Sequence, residues 1–362
     1  MASINNVLRR PRFTISSPRL VLLRLRRWPT LSVIILTVLF IVGIFGPPLK
    51  VGFLDYPGFA PYGYAEGTPK DRTIPPFWGR EQVKMKTVVQ SVNQLRQEAT
   101  YQVSLRNARK IKPGAQLGDQ VPVVLRQGGT FAHPLGTDEV GWDIFSRLIH
   151  AARVTLLVAG ISLISGLVVG TSLGLIAGYA DQISSRFGRH LDEFIMRVVD
   201  IWLGLPFIIV ALAVVIVLGQ SLMVLLGLLA MLAWTPFVRN VRAEVLSIKK
   251  QEYVALAKVA GAGSFRILTV HILPGVTNTL IVIATLRVGQ LIIAEAILSF
   301  LGAGVPPPKP SWGAMIADGR GYLADAWWIA FFPGVAIFLV VMALNFLGDW
   351  FRDRLDPRLR QL

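Results

Sequence analysis

Ionisable residues in or beside long apolar stretches are the first candidates for chemistry, and they are Asp200, Arg287 and Glu295. A charged group in hydrocarbon is costly, so such residues usually face a cavity, a water-filled path or a partner. Arg287 and Glu295 lie about 12 Å apart along a helix, too far for a direct pair. We therefore regard all three as candidate pathway-lining residues. The alternatives are a structural role for Glu295 and an interfacial position for Asp200.

The sequence offers no pattern typical of catalysis or of a metal site. Its four histidines are scattered, at positions 133, 150, 190 and 271, and it has no cysteine for a thiolate site or a disulfide. No P-loop for nucleotide phosphates occurs. Gly261-Ala-Gly263 lacks the preceding strand and the third glycine of a dinucleotide fingerprint. The chain is predicted to be non-catalytic, with no metal site and no cofactor of its own.

The composition is that of an integral membrane protein. Of 362 residues, 53% are hydrophobic and only 16% are charged, against about 25% charged in soluble proteins, and the mean hydropathy is +0.56. The net charge of +16 would suit nucleic acid, but the charges lie in the gaps between apolar stretches. Membrane insertion is the better interpretation.

Apolar segments of nearly membrane-spanning length occur along the whole chain, at 29–46, 154–178, 198–218, 221–237, 276–301 and 327–348. Because a helix needs about 20 residues to cross a hydrocarbon core, they predict an all-α protein with six transmembrane helices. The first segment is followed by Pro47-Pro48 and not by a small-residue cleavage site, so it is predicted to be a retained span.

The distribution of Lys and Arg predicts the orientation in the membrane. The N-terminal tail, the 179–197 and 238–275 connections and the C-terminal tail together hold twenty, whereas the alternate short connections hold only Lys309 and Arg320. This split places both termini in the cytoplasm. On the same topology, Trp312, Trp327 and Trp328 are predicted to form an outer aromatic belt, and Trp28 and Trp350 an inner one.

The spans divide the chain into regions: a cytoplasmic basic tail at 1–28, the first helix at 29–46, an extracytoplasmic loop at 47–150, a five-helix core at 151–349 and a cytoplasmic tail at 350–362. Within the long loop, residues 81–112 lack Gly and Pro, and Met85, Val88, Val92, Leu95 and Ala99 follow helical spacing. They predict a helix near 81–108. The part of the loop that holds this helix, residues 60–128, is called the insertion, and it is either a solvated spacer or a docking element for an external partner.

The second span carries four glycines at strict four-residue spacing, namely Gly166, Gly170, Gly174 and Gly178. In a membrane helix this spacing makes a groove in which another backbone can approach closely. The partner helix is expected within the same chain, with a second subunit as the alternative.

Residues 252–274, hereafter the 252–274 loop, interrupt the apolar stretches with a short amphipathic pattern. Its first helix has an apolar stripe of Tyr253, Leu256, Ala257 and Ala260, and Gly261 and Gly263 are expected to end it. Ser264 is predicted to cap a second helix with Phe265, Leu268 and Ile272 on one face, which Pro274 would stop. Such a knob suits either a headgroup-bound interfacial helix or a plug for a cytoplasmic partner.

The 252–274 loop resembles the E-A-A loop of binding-protein-dependent ABC importer permeases. Gly261 takes the position of the motif glycine, and Leu273-Pro274 close the pattern, whereas His271 replaces the motif isoleucine. The register sets Ala255-Leu256-Ala257 on the E-A-A positions, where only Ala257 matches. Three more segments, 133–147, 298–313 and 347–358, resemble the C-type subunit of dipeptide and oligopeptide importers, of the peptide/nickel family. Residues 60–128 resemble nothing we recognise.

The resemblance implies a type I ABC importer permease fold in a prokaryotic cell membrane. It implies a homologous second permease, two nucleotide-binding ATPase subunits that bind ATP and Mg, and an external substrate-binding protein. The residues expected to couple to the ATPase subunit are Glu252, Tyr253, Ala255, Leu256, Ala257, Lys258, Gly261, Ala262 and Gly263. Peptides are the expected cargo. The alternatives are nickel chelates or other small solutes of the family, an independent secondary transporter, and a membrane-anchored receptor.

Overall fold

A computed structural model describes residues 29–51, 54–90, 102–183 and 185–355. The predicted tail at 1–28, including Trp28, lies outside the described residues, as does most of the tail at 350–362.

The described chain is mostly helical and carries two small sheets. The helices are α1 (Thr30–Phe45), α2 (Leu105–Ile111), α3 (Ile144–Ile183), α4 (Ser185–Gly204), α5 (Phe207–Leu218), α6 (Leu222–Ile248), α7 (Glu252–Val259), α8 (Ser264–Arg266), α9 (Leu273–Phe300), α10 (Trp312–Gly319) and α11 (Trp328–Leu355). The strands are β1 (Leu49–Val51), β2 (Leu54–Tyr56), β3 (Gln82–Val89), β4 (Gln102–Ser104) and β5 (Gln120–Arg126).

Among the described residues, four helical stretches are long and apolar enough to cross a membrane: α3, α6, the run Ser264–Phe300 and α11. A fifth crossing is possible through α4 and α5, whose axes meet at 84°. The break falls at Pro206, which precedes α5 and disfavours helical conformation at Leu205. The predicted span at 198–218 is therefore not one straight helix, since the segment is bent in two. The first apolar helix, α1, has 16 residues.

The centre of the fold is a parallel pair formed by α3 and α6. A Cβ at Gly166 would lie 2.3 Å from Cβ of Ala233, and one at Gly170 would lie 2.4 Å from the carbonyl oxygen of Trp234. Gly174 and Gly178 face Val241 and Val245 in the same way. Because both sets advance by four residues in the same direction, the two helices run parallel. The α4–α5 pair must therefore return the chain to the end at which α3 begins.

The described part of the insertion contradicts the predicted helix near 81–108 and, with it, the all-α fold, since only its last residues, in α2, are helical. Residues 91–101 of that prediction, including Val92, Leu95 and Ala99, lie outside the described residues. Gln82–Val89 is the central strand β3, with β4 parallel on one side and β5 antiparallel on the other. The run Val83-Lys84-Met85-Lys86 alternates apolar and basic residues, which is the period of a strand. A small separate core fills one face of the sheet, made of Val88, Val103, Ala108, Ala115 and Val121.

Two of the three tryptophans predicted for the outer belt are buried. Trp312 and Trp328 belong to the main core. Their indole N–H groups donate hydrogen bonds to the carbonyls of Leu148, at 3.2 Å, and Thr137, at 3.0 Å. They therefore fasten the segments that cover this end of the helices, which we call the loop end. Trp327 is exposed, as a belt residue would be.

Candidate functional site

The 252–274 loop forms a short helix at the end of the bundle opposite the loop end. α7 has only eight residues, far fewer than an isolated helix needs in water. Glu252 in its first turn and Lys258 in its last turn complement the helix dipole, which contributes a few tenths of a kcal/mol each. Packing against the rest of the chain must supply the remaining stability.

The C-terminus of α7 ends in a Schellman motif. The N–H of Ala262 donates to the carbonyl of Ala257 at 3.0 Å, and the N–H of Gly261 donates to the carbonyl of Lys258 at 3.1 Å. Gly261 has a φ of +81°, and a Cβ placed there would have nothing within 4 Å. Glycine is required here by the backbone conformation. No contact within the described chain requires it. Gly263 has ordinary helical-boundary geometry and precedes α8.

Buried side chains anchor the loop to α3 and α6. Val254 is the buried residue of α7, and it joins Ile267 and Ile272 in a cluster with Tyr179 and Ile248. Polar contacts reinforce this attachment, directly through Lys258 and, between the ends of α3 and α6 on which the loop packs, through Lys249. The ammonium of Lys258 lies 3.2 Å from Oε1 of Gln182, and that of Lys249 binds Asp181 at 2.7 Å and the carbonyl of Gly178 at 2.9 Å. The knob, which is the pair of short helices α7 and α8, is thus held at a fixed place and angle.

The opposite face of the knob exposes large apolar side chains. The exposed fractions are 48% for Tyr253, 68% for Leu256, 87% for Val259 and 80% for Phe265. Of the other predicted coupling residues, Glu252, Ala255, Lys258, Gly261 and Gly263 are exposed, and Ala257 and Ala262 are partly buried. Contiguous exposed apolar surface of this kind is typical of an interaction site.

The second half of the loop differs from the prediction. Pro274 does not stop a helix, because it lies in the first turn of α9, where a missing N–H costs nothing. A π-helical turn, Ile267–Ile272, joins α8 to α9 without interruption. Gly263, and not Ser264, is the N-cap of α8. Phe265 is exposed while Ile272 is buried, so the predicted common face is absent, because the wider π turn shifts the helical phase.

Ion pairs near the knob connect α4 with α6. Arg242 binds Asp192 through two bonds of 2.5 and 2.7 Å. Arg239 pairs with Asp200, and both side chains are about half exposed. The structure thus places the predicted pathway residue Asp200 in an exposed ion pair.

The other two predicted pathway residues lie on α9 and do not pair with each other. Glu295 is buried, and its Oε1 accepts a hydrogen bond of 2.6 Å from Ser299. The hydroxyl of Ser299 lies 3.2 Å from that of Ser311, which caps α10. Glu295 thus belongs to a polar chain between two helices. Arg287 contacts Gln290 and the carbonyl of Leu232.

Sequence reasoning missed a buried polar network at the loop end, which we call the Asp138 clamp. Oδ1 of Asp138 accepts backbone N–H groups from Val140, Gly141 and Trp142 at 2.8–3.0 Å. Its Oδ2 accepts a bond of 2.5 Å from Arg147, whose guanidinium lies 4.6 Å from the Trp142 ring centre. The run Asp138-Glu-Val-Gly141 is a turn signal that could have revealed the first contacts. Nothing in the local sequence identifies Arg147 as the partner.

Two carboxyl groups beside the Asp138 clamp have raised pKa values. Burial raises the pKa of Glu139, and the neighbouring charges of Asp138 and Asp318 add to this effect. Burial also raises the pKa of Asp318, against the opposing influence of Arg147, which lies 3.4 Å away. Both groups therefore resist ionisation in the folded protein.

Among the residues that the structure describes, no group of three or more His, Cys, Asp or Glu side chains is arranged to hold a metal ion. The exposed apolar side chains of the knob are what suggest contact with another macromolecule.

Comparison with known proteins gives consistent similarities. Residues 170–361 match the model of the family described as binding-protein-dependent transport system inner membrane component. The chain is 43% identical over 251 residues to the dipeptide transport system permease protein DppC of Escherichia coli, covering 69% of this chain and 81% of that protein. It is 42% identical over 234 residues to the di/tripeptide transport system permease protein DppC of Pseudomonas aeruginosa, covering 65% and 75%.

A relative with a different named cargo matches about as well. The glutathione transport system permease protein GsiD of Pectobacterium atrosepticum is 40% identical over 236 residues, covering 65% of this chain and 76% of that protein. Among solved structures, a chain of the inward-facing MetNI methionine ABC transporter is 20% identical with a TM-score of 0.48, covering 58% of this chain and 96% of its own.

Proposed function

The chain belongs to the family of binding-protein-dependent transport system inner membrane components, and from this premise we propose that it is the permease subunit of an ATP-driven peptide importer. It pairs with a homologous second permease, two ATPase subunits and an external binding protein. The chain itself performs no catalysis, and ATP and Mg bind to the ATPase subunits. We propose six spans, counting α1 and the bent α4–α5 pair, with both termini in the cytoplasm.

The observation that carries this proposal is the knob formed by α7 and α8. Its apolar side chains Leu256, Val259 and Phe265 are mostly exposed, yet its backbone is fixed by the Schellman motif and by Val254. Rigid presentation of apolar groups lowers the entropy lost on binding. These groups would fill a cleft in an ATPase subunit. Closure of the ATPase subunits on ATP would then move the knob, and the attached helices would alternate between outward and inward access.

Peptides are the proposed cargo because three similar permeases are named for dipeptide, di/tripeptide and glutathione transport. Selectivity would rest largely with the binding protein, since no pocket of defined specificity is needed in the permease itself. Nickel chelates or other small solutes are the alternative cargo.

The coupling role is tested with the double variant Leu256→Asp, Val259→Asp in the reconstituted complex. Both side chains are mostly exposed, so the folded chain should tolerate the change, whereas two carboxylates would be buried unpaired at the ATPase contact. We expect loss of ATPase stimulation by loaded binding protein with an unchanged thermal midpoint. The matched control is Leu117→Asp, an exposed apolar residue of the insertion.

Normal stimulation in the double variant would refute coupling through the knob. The cargo is tested separately, by uptake of labelled dipeptide and of a nickel chelate into proteoliposomes with ATP inside. Uptake that needs no ATPase subunit would instead support an independent secondary transporter.

A further inference from the structure

The insertion carries exposed aromatic rings that continue from the surface of α11. We define the aromatic band as Phe77, Trp78, Phe131, Trp327, Phe331 and Phe332. Phe77 stacks on Phe131 with ring centres 5.2 Å apart and meets Trp78 edge-on at 4.8 Å. Trp78 contacts Phe332 at 6.2 Å, and Trp327 contacts both Phe331 and Phe332. The rings thus form one connected surface.

Most of this surface is uncovered within the chain. The exposed fractions are 45% for Phe77, 51% for Trp78, 84% for Phe131, 41% for Trp327 and 52% for Phe331. A connected apolar patch of this kind is costly in water, so it is expected to meet lipid or a protein.

Buried residues and hydrogen bonds hold the loop that carries the band, so the exposure of the rings is built into the fold. Ile74, Pro75 and Pro76 are buried beneath it. The N–H of Ile74 binds the hydroxyl of Thr137 at 2.8 Å, and the N–H of Gly129 binds the carbonyl of Gly79 at 2.8 Å. A Cβ at Gly129 would lie only 1.9 Å from the carbonyl oxygen of Pro76. The two loops that hold Phe77, Trp78 and Phe131 are therefore locked together.

The position of the band relative to α11 favours lipid as the occupant. Phe332 lies in the first turns of α11, about 6 Å along the helix axis from Trp328. Because Trp78 contacts Phe332, Trp78 lies beside the span and not beyond its start. The band also continues the exposed apolar residues Phe331, Phe338 and Phe346, which occupy one side of α11. Tryptophan and other aromatic rings prefer the boundary between headgroups and acyl chains.

We propose that the aromatic band seats the insertion on the outer leaflet of the membrane, with its rings at the boundary between headgroups and acyl chains. The insertion is then a membrane-attached platform beside the mouth of the permease, and its small sheet is held at a fixed height above the bilayer. This goes beyond the proposed transport function and does not depend on the cargo.

The chain contains no cysteine, so a single label can be introduced without removing other thiols from this chain. Phe131→Cys carries little folding cost because the side chain is mostly exposed, and Phe77→Cys serves as a second site. Leu117→Cys is the control, since Leu117 is also exposed, at 57%, but lies before β5, a strand of seven residues about 23 Å long whose other end leads towards the band.

Each nitroxide-labelled complex is reconstituted in nanodiscs, and collision rates with oxygen and with a water-soluble nickel chelate are measured. Immersion predicts a several-fold higher oxygen-to-nickel ratio at positions 131 and 77 than at 117. Equal ratios at the three positions would overturn the proposal. Protection of position 131 that arises only on adding loaded binding protein would also overturn it, because the band would then be a protein-docking surface. Neither result depends on whether the complex transports peptides.

Discussion

The two ends of the helical core differ in whether their side chains find hydrogen-bond partners and cover within the chain. At the loop end, the Asp138 clamp, Trp312 and Trp328 find their hydrogen-bond partners inside the chain and are buried. At the α7 end, backbone hydrogen bonds close the C-terminus of α7, but Leu256, Val259 and Phe265 are mostly exposed among the described residues. For the hydrogen bonds of the clamp and the two tryptophans, apart from Nε of Arg147, the loop end is complete by itself, whereas the apolar face of the knob is covered only with a partner. Stability and coupling should therefore be separable by mutation.

Disrupting the Asp138 clamp at the loop end should produce the largest loss of stability. Arg147→Met would leave Asp138 as an uncompensated buried charge, so we expect a loss of about 3–5 kcal/mol, measured as the thermal midpoint of the detergent-solubilised complex. Arg239→Met is the control, because its pair with Asp200 is about half exposed and should contribute about 0–1 kcal/mol. Equal shifts in the two variants would contradict the distinction between a buried clamp and a surface pair.

Between the two ends, the glycine contact of α3 with α6 should give the next largest effect. A side chain at Gly170 meets the backbone of Trp234, so Gly170→Leu forces the helices apart and should cost about 1–3 kcal/mol or more. Gly160→Leu on the same helix is the matched control, since a Cβ there has open space. The thermal midpoints of the two variants provide the measurement. An unchanged midpoint for Gly170→Leu would show that this contact does not support the fold.

At the α7 end, variants of Gly261 distinguish a requirement of the backbone conformation from a requirement of contact with the partner. Gly261→Ala forces a residue with a side chain into a left-handed conformation, at about 1–2 kcal/mol, and should weaken ATPase stimulation by loaded binding protein. Gly263→Ala should behave as wild type, since its φ is −68° and its surroundings are open.

Asn tolerates positive φ better than Ala. If Gly261 is needed only for its backbone, Gly261→Asn should therefore recover part of the stimulation lost in Gly261→Ala. If Asn fails as badly as Ala while both variants fold, the glycine is required by close approach of the partner.

The smallest expected effect is the pH dependence of Glu139. Its folded pKa is raised by burial, so its protonated form favours the folded state. This stability is complete below the pKa of the unfolded chain and is lost as pH rises through the raised folded value. Glu139→Gln, which cannot ionise, should raise the thermal midpoint slightly at neutral pH and leave it unchanged at low pH. A difference that grows towards low pH would contradict this sign.

Much of the membrane part could be predicted because apolar length and charge asymmetry act over many residues. Five of the six apolar segments contain helices long enough, alone or as the bent pair, to be candidate spans, and the exception is α1. The insertion could not be predicted as well. Met85 and Val88 fit a helical period, yet they lie on β3, because pairing with β4 and β5 overrides a weak local pattern.

The candidate site was predictable in part, for a similar reason. Gly261 follows from local backbone rules, whereas the continuation through Pro274 depends on a π turn that no simple period indicates. The Asp138 clamp brings Arg147 to Asp318, 171 residues away in sequence. Contacts of this range arise from the packing of helices and loops, so a single sequence does not show them.

The π turn at Ile267–Ile272 also has a mechanical consequence. Because Ser264–Phe300 is one continuous helical stretch of 37 residues, it reaches about 55 Å from the knob. When this stretch tilts as a unit, each degree of rotation about one end displaces the other by about 1 Å. The polar chain from Glu295 to Ser311 lies near the far end of this stretch. A push applied beside the knob would thus be delivered across the membrane as lateral travel of the opposite rim.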